Sequence, residues 1–279
     1  MSKYFNTPDE LVAESIAGCN TKAGYPLKRL ILLSIIAGAF VAFGAQASSL
    51  ATHNISDYGI AKTIAGTIFP VGLMMIILFG GNLFTSNCLI SMSVMHKQVT
   101  LPKFGKNLFI VYFSNFIGAG LIAFLIFLTG QYDVSDGALG AYTIKVALGK
   151  VHIPFVSALV SGILCNVLVC TAVLMAGAAK DVTGKCLAIF FPIWTFVISG
   201  FEHSIANMYY ITAGLLAKSN PEYVSKLTEH YGYDAADLSS LTIKTFLVDN
   251  LVPVTIGNLI GGAIVTAVIF YKLYGTKHH

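Results

Sequence analysis

Two apolar stretches in this chain are too long to be single membrane helices, and each is interrupted by polar residues near its centre. Residues 63–95 run for 33 positions without Asp, Glu, Lys or Arg, and their middle reads FGGNLFTSN, 79–87. Residues 186–217 cover 32 positions, and their middle reads SGFEHSIAN, 199–207. A straight helix of either length would measure about 48 Å, against a hydrocarbon core of about 30 Å. Broken backbone at membrane depth survives only where protein or a water-filled cavity satisfies its polar groups. Two such breaks at matching places in two half-chains point to a permeation site.

The composition agrees with a membrane setting. The chain is 56% apolar and 11% charged, where a soluble domain carries roughly 25% charged residues. Its mean hydropathy is +0.75. Windows of low charge predict six spans, 31–50, 65–95 (broken), 108–129, 154–178, 186–216 (broken) and 251–271, in one membrane domain over 1–279. The expected class is therefore all-α and integral to the cell membrane (inner or plasma). Six spans place both termini on one side. With both in the cytoplasm, that side holds 11 Lys/Arg, including Lys3, Lys22 and Lys277, and the other holds six, so the predicted orientation is cytoplasmic N- and C-termini. The net charge of +4 calls for no nucleic-acid partner.

The opening segment, 1–25, reads as an amphipathic helix on the cytoplasmic surface. Thr7 is the expected N-cap, Pro8 the first helical residue, and Glu10 the far side of a capping box. Leu11, Val12, Ser15, Ile16 and Cys19 form one face, and Gly24 is the expected stop. Five cysteines without CxxC spacing predict neither a disulfide nor a metal site, and nothing in the sequence calls for a cofactor.

The two halves echo each other, 28–130 against 151–275. Each broken span carries a central proline, in IFPVGL (68–73) and FFPIWTF (190–196). Each break then ends on a polar pair, Thr85-Ser86 against His203-Ser204, and each half closes on a similar helix, NFIGA (115–119) against NLIGG (258–262). Three spans per half is an odd number, so the second half inserts inverted.

Glu202 and His203 form the one ionisable pair deep in a span. A charge there costs several kcal/mol unless it is partnered or wetted, which makes the pair a functional candidate, with helix capping as the bland alternative. Histidine, with an ordinary pKa of about 6.5, can attract a small anion or hand it a proton. Thr85 and Ser86 would add neutral donors opposite it. Lys150, just before the fourth span, is either an interfacial lysine or an electrostatic funnel for anions. Asn166 and Asn258 are intramembrane amides that either line a pore or hold helices together. Phe69, Leu73, Leu83, Phe84, Val169 and Phe196 lie at depths suited to hydrophobic gates or to plain packing.

At these residues the chain resembles the formate/nitrite transporter family nearly end to end. ISGFEHSIANMYYI (198–211), NLFTSN (82–87), the NFIG stretch at Asn115, GKVH (149–152) and DNLVPVTIGNLIGG (249–262) carry the resemblance. It implies an aquaporin-like six-helix protomer with one pore each, assembled as a homopentamer in the bilayer. It implies a central His at His203, a loop Thr at Thr85, an outer Lys at Lys150 and a pore Asn at Asn166. It implies an inner constriction of Leu73, Leu83 and Phe196, and an outer one of Phe69, Phe84 and Val169. Asn82 departs from the formate channels, which carry Asp before the LFTS run, and the hydrosulfide branch of the family is similar too. The expected function is passage of small monovalent weak-acid anions: formate, nitrite or hydrosulfide. A neutral-solute channel of the aquaporin kind would want two Asn-Pro-Ala boxes, which no span contains, and an intramembrane enzyme would need a nucleophile and base that the adjacent His203 and Ser204 cannot easily form.

Overall fold

The computed structural model describes residues 5–275, so Lys3, Lys277 and the terminal His278 and His279 lie outside the described residues. The chain runs α1 (Pro8–Ala23), α2 (Leu27–Thr52), α3 (Tyr58–Phe79), α4 (Phe84–Met95), α5 (Leu101–Leu128), α6 (Ala138–Val151), α7 (Phe155–Ala178), α8 (Val182–Ile198), α9 (Ser204–Ala217), α10 (Pro221–Tyr231), α11 (Ala235–Ser240) and α12 (Thr245–Tyr274). Five of these, α2, α3, α5, α7 and α12, are long and apolar enough to cross a membrane, while α8 and α4 are shorter apolar helices. The first broken span is longer than its charge-free window. Asp57 caps α3 by accepting from the Ile60 N–H, which draws Lys62 into the helix. The last span also starts earlier than expected, at Thr245, and winds through two π-helical stretches, Thr245–Leu251 and Ile260–Thr266.

The opening helix forms as its sequence predicts. Thr7 and Glu10 complete the capping box, Pro8 opens the helix, Gly24 ends it, and Leu11, Val12, Ile16 and Cys19 are buried. Asn6 donates its backbone N–H to the Ala178 carbonyl at the end of α7, and Ser93 of α4 donates to the Ile16 carbonyl. α7 therefore ends on the face where α2 begins. On the opposite face, Thr52 at the end of α2 is 3.4 Å from the Tyr142 hydroxyl of α6, the helix that leads into α7. The two halves thus run in opposite directions. We call the two sides the α1 face and the α6 face.

The inverted repeat is written in the hydrogen bonds. Asn115 of α5 accepts from the Phe84 N–H (2.9 Å) and donates to the carbonyls of Ser34 (2.7 Å) and Asn82 (2.9 Å). Asn258 of α12 accepts from the Ser204 N–H (2.9 Å) and donates to the carbonyls of Gly162 (2.8 Å) and Glu202 (3.0 Å). Each amide satisfies the first backbone donor of a half-helix, which a membrane interior otherwise leaves orphaned. Gly118 and Gly261 are a second matched pair. A Cβ on Gly118 would sit 1.9 Å from the Ile35 carbonyl oxygen, and one on Gly261 would sit 2.2 Å from that of Ile163. Only glycine allows the closing helix of each half to approach the opening one so closely.

The two breaks match as well. Gly80 (φ 85°) and Gly200 (φ 68°) turn the chain out of α3 and α8 in the left-handed region that favours glycine. That register pairs Leu83 with His203 and Phe84 with Ser204. The sequence echo of Thr85-Ser86 with His203-Ser204 is therefore displaced by two residues. Pro70 and Pro192 are likewise not equivalent, since they stand at different distances from their glycines.

Candidate functional site: a constriction between two broken helices

From the α6 face a vestibule of about 460 Å³ leads inward, lined among others by Lys62, Lys145, Lys150, Tyr210, Glu202 and, at its floor, His203. The floor is the ring pair Phe69 and Phe196, which meet edge to face at 5.5 Å. Beyond them lies a void of about 20 Å³ bounded by Val41, Phe69, Gly72, Leu73, Leu83, Val169, Ile193, Phe196 and His203. A space of that size holds about one water. Five of the six expected gate residues thus share one cavity. Phe84 does not: its ring packs edge-on against Tyr112 of α5 at 5.0 Å, on the far side of the half-helix. The expected inner and outer sets also merge around a single void, with Phe196 touching Phe69 on one side and stacking on the His203 ring (6.2 Å, 29°) on the other.

His203 is the polar corner of this void, and local structure fixes its tautomer. It caps α9, and its Nδ1 accepts from the Ala206 N–H at 3.1 Å. With Nδ1 accepting, the ring hydrogen of neutral imidazole sits on Nε2, and that hydrogen points to the Thr85 Oγ1 2.9 Å away. Thr85 then accepts from His203 and keeps its own hydroxyl hydrogen free to turn. Ser86 contributes no such donor, because its hydroxyl is spent on the Leu83 carbonyl at 3.0 Å.

The two intramembrane amides hold the site together instead of lining it. Asn166 donates to the Thr85 carbonyl (3.2 Å) and to the Asn258 carbonyl (2.6 Å), so it ties the half-helix α4 to the closing helix α12 through α7. Asn258 spends its side chain on backbone groups, as given above. Both are fully buried.

Glu202 and Lys150 form an ion pair at 2.8 Å, with the Lys150 ammonium also 5.5 Å from the Tyr210 ring. Asn207 donates to the other Glu202 oxygen (2.6 Å) and to Asn250 (2.8 Å), and Asn250 closes the ring on the Lys150 carbonyl (2.8 Å). Neither expected role of Lys150, a snorkelling residue or a bare funnel cation, describes this paired state.

The inverted half repeats this cluster on the α1 face with Asn82 and with three residues to which the sequence reading gave no site role, Lys22, Asn87 and Asn107. Asn87 donates to Asn82 (3.2 Å) and to Asn107 (3.0 Å), Asn107 donates to the Lys22 carbonyl (3.3 Å), and the Lys22 ammonium lies 3.5 Å from the Asn87 Oδ1. The signal was present in the chain: Lys22 precedes Pro26 by the same spacing with which Lys150 precedes Pro154, and each proline opens a long helix. Here Asn82 stands in the place of Glu202, and the lysine reaches the Asn87 amide oxygen instead of a carboxylate. Burial holds the Lys22 pKa below its ordinary 10.5.

Two half-helices meeting at a buried constriction, with a wide vestibule before it, define a helical membrane channel of inverted-repeat architecture. Comparison with known proteins gives the particular family. The sequence model of the formate/nitrite transporter family matches residues 9–272. The formate channel FocA of Escherichia coli K12 is 36% identical over 274 residues, covering 96% of this chain and 94% of its own length. A probable formate transporter of Methanothermobacter thermautotrophicus is 32% identical, covering 98% and 99%. Among solved structures, a pentameric formate channel with formate bound superposes with a TM-score of 0.78 at 30% identity, over 90% of this chain and 98% of the other. The chain belongs to the formate/nitrite transporter family.

Proposed function

We propose that this protein passes small monovalent weak-acid anions across the cell membrane, formate foremost and nitrite or hydrosulfide by the same chemistry, through a pore in each protomer of a homopentamer. The single observation that carries the reading is the void of about 20 Å³, apolar on every side but that of His203, whose Nε2 is bonded in turn to the Thr85 hydroxyl. An unpaired charge in such a space costs many kcal/mol, and a neutral acid costs little. The solute therefore crosses most cheaply when it takes up a proton or shares one at the polar corner. Thr85 donates its free hydroxyl hydrogen to the anion, while His203 Nε2–H donates to Thr85 and strengthens that donor. Strong-acid anions such as chloride cannot be neutralised and meet the full barrier. Formate, with three heavy atoms, exceeds the space for one water, so passage needs Phe196 or Phe69 to swing aside.

Membership of a family of formate channels and the pentameric neighbour support the substrate class and the assembly. The excess of Lys/Arg on the α1 face supports placing that face in the cytoplasm. The lysine-bearing vestibule favours an anion over the neutral solute of an aquaporin-like channel. The test is flux into proteoliposomes at two pH values with formate, nitrite, hydrosulfide, chloride and glycerol. Faster flux of the three weak acids at the lower pH supports the reading, and glycerol flux without anion flux overturns it.

A further inference from the structure

Three lysines line the vestibule, and two of them are occupied. Lys150 is neutralised by Glu202 at 2.8 Å. The Lys145 ammonium lies 4.1 Å over the Tyr231 ring and 5.9 Å from that of Tyr142. The Lys62 ammonium makes no hydrogen bond or ion pair to a described residue, and its ring contact is a long one, 5.6 Å to Tyr58, against 4.1 Å for Lys145 on Tyr231. Lys62 also stands in the right place. It precedes Phe69 by two helical turns on α3, about 10 Å, and Ala65 between them lines the same space. Its Nζ lies 3.7 Å from where a Cβ on Gly200 would sit, so it reaches over the very turn that leads into Glu202 and His203. Because residue 200 has no side chain, the space above that turn stays open to a solute.

We propose that Lys62 is the residue that captures the anion on the α6 side, the unpaired cation that holds a small monovalent anion above the Phe69–Phe196 floor. This rests on the anion-channel reading given above. Lys150, already balanced by Glu202, keeps the break in shape and contributes little net field. One free ammonium above a neutral pair suits a single negative charge. The competing role for Lys62 is structural, a cation set against the negative C-terminal end of α8.

The two roles separate in a salt series. Formate flux into proteoliposomes is measured against formate concentration for the wild type, Lys62→Met and Lys62→Arg, at ionic strengths of about 10 mM and about 0.5 M. Capture predicts that Lys62→Met raises the half-saturating formate concentration about fivefold or more at low salt and less than about twofold at high salt, with maximal flux and melting temperature unchanged. It also predicts that Lys62→Arg stays near the wild type. An unchanged half-saturation at low salt, an equal loss at both salts, or a loss that tracks a lowered melting temperature overturns the proposal while the channel reading stands. A wild type that passes neither formate nor nitrite overturns the channel reading, and the capture role falls with it.

Discussion

The cluster around Lys150 and the cluster around Lys22 are one design used twice with one residue changed. Both place a lysine at the end of a short helix, an asparagine on a half-helix, and a second asparagine on the closing helix. On the α6 face the central residue is Glu202, and the lysine is paired at 2.8 Å. On the α1 face it is Asn82, and the lysine reaches only an amide oxygen at 3.5 Å. The Asn82 Nδ2 is buried with no hydrogen-bond partner among the described residues. A carboxylate and an amide are nearly the same shape, so the backbone is indifferent to the exchange. The charge is not: the lysine of one cluster is balanced by a carboxylate, and the lysine of the other meets only an amide.

That comparison can be broken most sharply by removing each lysine. Lys150→Met leaves the buried Glu202 carboxylate without its counter-ion, and should cost about 3–5 kcal/mol in unfolding free energy, read as a lowered melting temperature in detergent. The double variant Lys150→Met/Glu202→Gln should recover most of that loss. Lys22→Met strips no ion pair and should cost far less. If both single variants melt alike, the two clusters are equivalent in energy and the asymmetry has no consequence.

The next effect falls between the pseudo-equivalent pair Leu83 and His203, of which one is polar. His203→Phe should reduce formate flux by roughly ten- to hundredfold, the worth of a hydrogen bond to a charged group, and flatten its pH dependence. A pH profile identical to the wild type would remove His203 from the mechanism. Leu83, on the same wall, carries no proton and should affect only size selection.

A smaller effect sharpens the comparison directly. Asn82→Asp gives Lys22 the carboxylate that Lys150 already has, and should slow anion influx from the α1 face several-fold at neutral pH. As pH falls through the carboxylate range, the substituted group loses its charge and the difference from the wild type should vanish. Oriented vesicles assayed from each side read this out. The smallest effect belongs to Ser86, beside Thr85: Ser86→Ala should leave flux within about twofold, since its hydroxyl bonds only to the Leu83 carbonyl.

Much of this molecule could be read from the chain. The capping box of α1 needs four residues in sequence, and it formed as expected. The breaks, the glycines and the closing motifs NFIGA and NLIGG stand in the sequence because membrane depth forces them there. The site was less legible. Asn166, Asn258 and Ser86 have the right chemistry for a pore, and only their partners reveal that they are spent on backbone carbonyls. Phe84 is one residue from a wall residue, yet half-helix geometry turns it toward Tyr112. Lys22 was missed because its partners are 65 and 85 residues away along the chain.

The sequence by itself determined that this is a helical membrane protein with two interrupted spans and an inverted repeat, since hydrophobic length and unsatisfied backbone are local costs that each segment must meet alone. Only the tertiary structure decided which polar groups remain available to a solute. That depends on which polar groups the fold has already paired: Glu202 with Lys150, Asn258 with two carbonyls, His203 Nδ1 with a backbone N–H and Nε2 with Thr85, while the Lys62 ammonium makes no hydrogen bond or ion pair to a described residue.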